Sequence, residues 1–199
     1  MFETFPGRDR ASRLPAAVLT VCLALSSCAH VSEGREPLAL TERAIREACV
    51  PFVVDAIDGD EVGRRLGGWW TRNLPDPFTP PQGPIFRRDG ATLQVIDGRS
   101  ARTAGGALTT QPRRTCTLWL GQSMDEGALV AAVRAAAASR TDAILADPPV
   151  VDGRRRVVAC VPSGPGRTAV VSALVFPNGE AGANVHETSA GARPGRCLG

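Results

Sequence analysis

The chain has 199 residues, 23 basic and 20 acidic, for a formal net charge of +3. All the basic residues are arginine, tyrosine is absent and no long basic run occurs, which excludes the strongly basic face expected of a dedicated nucleic-acid binder. The length and a 43% hydrophobic content suit one ordinary domain with a real core.

The first element in chain order is an uncharged run from Leu14 to Ser27, preceded by Arg8, Arg10 and Arg13. A membrane-spanning helix needs about 20 apolar residues, whereas a signal-peptide core needs roughly 7–15. The run fits the shorter class. It ends in the small residues Ser26, Ser27, Cys28 and Ala29, as a signal peptidase requires; Glu3 and Asp9 dilute the basic leader.

The tetrapeptide Leu25-Ser26-Ser27-Cys28 resembles the lipobox of bacterial lipoproteins. That resemblance implies cleavage before Cys28, acylation of Cys28 by chains such as palmitate, and stable anchoring, since two or more acyl chains hold a protein to a membrane. It divides the chain into a signal peptide (1–27), a lipidated tether (28–40) and one folded domain (41–199). Ala29, standing where an Asp would favour the inner membrane, implies an outer-membrane lipoprotein facing the periplasm. An ordinary secretory signal cut near Ala29 is the alternative, and it would release the protein into the periplasm. The mature part is also loosely similar to small exported proteins of Gram-negative bacteria with no assigned activity.

Cys22 leaves with the signal and Cys28 takes lipid, so Cys49, Cys116, Cys160 and Cys197 remain. Four scattered cysteines in an exported chain read as two disulfides with three possible connectivities. Cys49–Cys116 with Cys160–Cys197 is the working assignment. A metal site is disfavoured, because there is no C-x-x-C pair and only two histidines occur.

After the tether, Ile45, Ala48, Cys49, Phe52, Val53, Ala56 and Ile57 recur at helical spacing. Thr41 is the expected N-cap, and Pro51 predicts a kink or restart. Residues 58 to 84, with five prolines between 75 and 84, read as a long ordered loop with Trp69 and Trp70 packed against it. Asp89-Gly90 between two β-prone runs predicts a hairpin. A Gly- and Thr-rich connection over 98 to 112 leads to "TCTLWL", where Cys116, Leu118 and Leu120 share one face. Ser123 is the expected cap of a helix from Met124 to about Arg140, with Leu129, Val133 and Ala136 or Ala137 inward. "RVVACV" and "TAVVSALVF" read as central strands and "ANVHET" as an added edge strand. The expected class is α+β: two helical segments on a mostly antiparallel sheet, with two disulfides.

The search for chemistry yields little. Asp55, Asp58, Asp60 and Glu61 cluster, but their spacing does not match a calcium loop, and a solvated helix end is the better reading. "GQSMDEG" lacks the second glycine of a nucleophile elbow, and His186, the one base outside the tether, reads as a surface residue. Arg154, Arg155 and Arg156 read as a charged strand entry, with contact to acidic polymer or headgroups as the alternative. The pattern calls for no cofactor, metal or catalytic residue. The leading reading is a structural or interaction role at the cell envelope, with the bilayer as one partner through Cys28 and an envelope protein as another. The competing reading is a glycan- or peptidoglycan-binding module that stacks sugars on Trp69 and Trp70. A periplasmic hydrolase using the acidic cluster ranks third.

Overall fold

Residues 35–68, 70–73, 83–104 and 107–189 are described by a computed structural model. Helix α1 (Arg35–Ala44), a π-helical turn (Ile45–Cys49) and helix α2 (Val50–Val54) run on without a break. The helix starts before Thr41, whose buried hydroxyl donates to the Pro37 carbonyl at 2.8 Å instead of capping the end. Pro37 is tolerated because backbone donors in a first helical turn have no partner in any case. Pro51 does perturb the helix, but through the π turn ahead of it. A proline ring crowds the carbonyl four residues earlier, and the wider turn relieves that clash without stopping the helix.

The segment expected to be all loop contains a further helix, α3 (Gly59–Leu66). Asp58 caps it, its Oδ1 accepting from the Glu61 amide at 2.7 Å. Val62 and Leu66 are its buried residues, too sparse an apolar pattern to read as a helix from sequence. Among the described residues helices therefore form three bodies rather than two. The last, α4 (Glu126–Ala138), is capped by Asp125 at the Ala128 amide (2.8 Å), while Ser123, the expected cap, ends a strand.

Eight strands form one antiparallel sheet in the order β1-β2-β3-β4-β8-β7-β6-β5. They are β1 (Thr71–Asn73), β2 (Ile85–Arg88), β3 (Ala91–Ala104), β4 (Ala107–Ser123), β5 (Ile144–Asp152), β6 (Arg155–Gly164), β7 (Arg167–Val175) and β8 (Glu180–Ser189). The sheet consists of two meanders, β1–β4 and β5–β8, each preceded by helix and joined where β4 pairs with β8. Two expectations change here, and a segment given no reading from sequence becomes strand. The connection over 98–112 is strand, because β3 and β4 stay paired from Thr92↔Trp119 out to Ala104↔Ala107. "AILADPPVVDG" supplies the edge strand β5. "ANVHET" lies in β8, at the centre of the sheet between β4 and β7, because the chain returns from the far edge to close the second meander.

One face of the sheet carries the core. Leu93, Leu118, Ala183 and Ala173 are opposed in one row, and Val95, Cys116, Val185, Val171 and Ala159 in the next. All are buried, packed with Ile45, Phe52, Leu129 and Val133 of the helices. Alanines on β7, β8 and α4 let the helix backbone lie close to the strands. The Cys49–Cys116 disulfide, as assigned from sequence, ties the π turn to the central strand β4, with both residues fully buried. Arg114 adds a second tie at 2.9 and 3.0 Å to the carbonyls of Phe52 and Ile57, and pairs with Asp97 at 2.7 Å. The proposed Cys160–Cys197 bridge lies outside the described residues at its Cys197 end.

Closing a loop of 67 residues should make the Cys49–Cys116 bridge worth about 4 kcal/mol. Cys49→Ser with Cys116→Ser should lower the denaturant midpoint accordingly, and an unchanged midpoint would show that the bridge is dispensable. The β4–β8 seam offers an independent check. A Cβ on Gly182 would sit 2.4 Å from the Leu118 carbonyl oxygen, so Gly182→Ala should cost about 2 kcal/mol or more in chemical unfolding.

Candidate functional site: a polar row on the second sheet face

The sheet face turned away from the helices carries polar groups where apolar ones would be expected. Cross-strand partners share a face, and the register sets Gln94, Thr117, Asn184 and Ser172 side by side on β3, β4, β8 and β7. Val157 and Val150 finish the row toward the β5 edge. The adjacent row holds Ile96, Thr115, His186, Val170 and Cys160. On the other side lie Trp119, Gly182, Leu174, Arg155 and Asp152.

Hydrogen bonds fix the centre of this row. The Asn184 amide donates to the Thr117 hydroxyl at 2.8 Å and to the Cys116 carbonyl at 3.3 Å. A carbonyl can only accept, so Asn184 Oδ1 must be the atom facing His186 Nδ1 at 2.8 Å. His186 therefore carries its proton on Nδ1 and keeps the lone pair on Nε2. His186, expected at the surface, is 9% exposed, on the second face of the central strand β8. Burial, reinforced by the charges of Arg155 and Arg113 and opposed by Asp152, pushes its pKa down to about 4. The ring is neutral near pH 7 and a poor base there. It is oriented by an amide, not a carboxylate, so the row suits polar recognition better than proton transfer. Ser172, fully buried beside Asn184, has a hydroxyl with no hydrogen-bond partner.

A second buried group went unseen in the sequence. Glu187 faces the helix side of β8 and is 4% exposed. Its Oε1 accepts from Ser163 at 3.3 Å and pairs with Arg167 at 3.2 Å, while Oε2 is unpartnered. The strand alternation of "ANVHET", extended to Ala181, was the available signal: Ala181, Ala183 and Val185 mark the inward positions, and Glu187 continues them.

The acidic cluster disperses into local structural roles. Asp55 pairs with Arg140 at 2.8 Å, Asp58 caps α3, Asp60 meets Arg72, and Glu61 holds Arg64 and Arg65. The Arg140 hydrogen bonds also hold the Asp142 carboxyl below its usual range. Among the described residues no three His, Cys, Asp or Glu side chains gather as metal ligands. The arginine triplet is likewise engaged: Arg154 stacks on Phe176 at 5.9 Å, Arg155 lies on the second face, and Arg156 bonds Glu126 and the Gly153 carbonyl at 2.9 Å. Trp70 is 9% exposed within the core cluster, so sugar stacking at this loop would fall to Trp69, which lies outside the described residues. Cys28, the lipidation residue, also lies outside them. An open groove of about 640 Å³ beside the β2–β3 turn is lined by Thr71, Arg87, Arg88 and Asp89. Comparison with protein-family models, curated proteins and solved structures finds no match to this chain.

The depressed His186 pKa makes a signed prediction. Its neutral form is favoured by folding, so the contribution is whole above about pH 6.5 and is lost as pH falls through that value toward 4. The loss should reach about 3 kcal/mol, at 1.36 kcal/mol per unit. Unfolding measured from pH 8 to 4 should show this slope in the native protein and a shallower one in His186→Gln. Equal slopes would remove His186 as the cause.

Proposed function

We propose that this chain is a lipoprotein of the cell envelope, anchored through Cys28, whose folded domain serves a structural or interaction role by docking a protein partner along β5. The observation that carries the reading is the β5 edge itself. Ile144, Leu145 and Val151 are the exposed large hydrophobic side chains among the described residues, at 44%, 36% and 65%, and all three lie on this one strand. Apolar side chains grouped on one surface strand mark interaction sites more often than scattered ones do.

The chemistry of the strand also says how a partner binds. Pro148 and Pro149 have no amide hydrogen, so the edge offers a broken ladder and resists strand addition. A partner therefore meets side chains rather than extending the sheet. Arg134 of α4 braces the strand from behind through the Ala146 carbonyl, keeping those side chains in place. The deeply buried Cys49–Cys116 bridge agrees with an oxidising compartment such as the periplasm. No helix among the described residues is long and apolar enough to cross a membrane. The Ala29 position favours the outer membrane.

Two measurements test this. Labelled palmitate should enter the native protein and be absent from Cys28→Ser; label retained in the variant removes Cys28 as the anchor. A photo-crosslinking residue at Val151 should give a discrete protein adduct in intact cells, with a control at exposed Asp125 giving none. The same adducts from both positions, or none from Val151, would overturn the docking role.

A further inference from the structure

We propose that the groove beside the β2–β3 turn is a binding site for a phosphate group, centred on Arg87 and flanked by Thr71 and Thr92. The first observation is a cation left over. At this end of the sheet Arg72 pairs with Asp60, Arg88 with Asp89 at 3.2 Å, and Arg64 and Arg65 with Glu61. Arg87 is exposed, and its side chain makes no ion pair or hydrogen bond among the described residues. Most arginines near it fasten something. Arg87 fastens nothing and is free to meet a ligand.

Register supplies its neighbours. Thr71 on β1 and Thr92 on β3 are the direct cross-strand partners of Arg87 on β2. Cross-strand partners share a face, so two hydroxyls flank one guanidinium, each one strand spacing of about 5 Å away. All three residues line the open groove, whose volume of about 640 Å³ falls in the range of roughly 300–1,000 Å³ typical of small-molecule sites.

The turn keeps the groove in shape. Asp89 and Gly90 adopt left-handed φ values of 43° and 81°, as a tight two-residue hairpin requires. The Gly90 carbonyl in turn abuts Gly121 at the irregularity in β4, where an added Cβ would lie 2.6 Å from that oxygen. The turn is thus wedged against β4. A ligand meets a preformed wall, which spares the cost of ordering a loop.

The donor set selects the ligand. A guanidinium fork bonds two oxygens of a carboxylate or a phosphate. Hydroxyls on both sides are further donors, and of these two groups only phosphate has a further oxygen to accept from them. Because the groove is open, the rest of a phosphate ester extends into solvent, whether it is a lipid headgroup or a soluble phosphate. The site depends on neither the Cys28 anchor nor the β5 edge.

Isothermal titration calorimetry of the full chain tests this with inorganic phosphate, glycerol phosphate and dihexanoyl phosphatidylglycerol below its micelle concentration. Saturable binding is expected, weakened at least about ten-fold in Arg87→Ala, with Arg87→Lys in between because an ammonium lacks the planar fork. Glycerol phosphate bound at least as tightly as the lipid identifies a soluble phosphate as the source, and tighter binding of the lipid identifies a headgroup. Arg113→Ala, at an exposed arginine elsewhere on β4, should leave the affinity unchanged. Arg87 is exposed, so its variants should keep the native unfolding midpoint. No saturable binding at millimolar probe, equal weakening by Arg113→Ala, or acetate bound as tightly as phosphate would overturn the proposal.

Discussion

The pairing of β4 with β8 is the constraint on which the rest of the fold depends. Each meander alone would expose one long strand edge, and joining them removes both edges at once. The join places Cys116 opposite Val185 and Thr117 opposite Asn184, so one register sets both faces. On the helix face it aligns the residue that the disulfide holds to the π turn. On the second face it brings Thr117 to the Asn184 amide and, through Asn184, orients His186. A slip of β8 by one residue would turn Asn184 and His186 in among the helices and Ala183 and Val185 outward, with Leu118 left on the helix face. The close approach of Gly182 to the Leu118 carbonyl and the register shift between Trp119 and Ser123 hold the strands at this setting.

Charge in this protein is used mainly to fasten elements together. Arg114 reaches from β4 to the end of α2, Arg140 bridges Asp55 and Asp142, Arg134 ties α4 to β5, and Arg156 ties β6 to α4. Guanidinium suits this work because its planar fork satisfies several acceptors at once, carbonyls included. Each exposed pair is worth little alone. The partly buried Arg114 differs: its Phe52 carbonyl partner lies in the last turn of α2, where backbone acceptors have no intrahelical partner, and its Ile57 partner lies in the segment that follows. Of the acidic residues that cluster in sequence, Asp55 is the other half of the Arg140 fastening, Asp60 and Glu61 pair with Arg72, Arg64 and Arg65, and Asp58 caps α3.

Much of the architecture was legible because periodicity reports burial. Cys116, Leu118 and Leu120 alternate, Leu129 and Val133 fall one helical turn apart, and Asp89-Gly90 marks its hairpin. Short elements escaped for the same reason. α3 buries just Val62 and Leu66, and β5 is broken by Pro148 and Pro149, so neither carries a repeating signal. β8 was readable as a strand but not as a central one. Its alanines and glycine look weakly apolar, yet here small residues are what allow helices and strand β4 to come close. The polar row could not be found from sequence, since its members lie on four strands spread over about 90 residues. Only the register brings Gln94 and Ser172 into one row, with β4 and β8 between them.

The two faces of the sheet therefore differ in what they demand of the rest of the chain. Apart from Glu187, the helix face is satisfied by apolar packing, which tolerates conservative exchange of side chains provided volume is kept. The second face contains an amide, an imidazole and a serine hydroxyl removed from water, and each requires a partner at a defined distance and angle. Directional groups specify one arrangement where apolar ones accept several. Whatever lies on this face must present main-chain or side-chain polar groups in a fixed pattern, so it must itself be held in place.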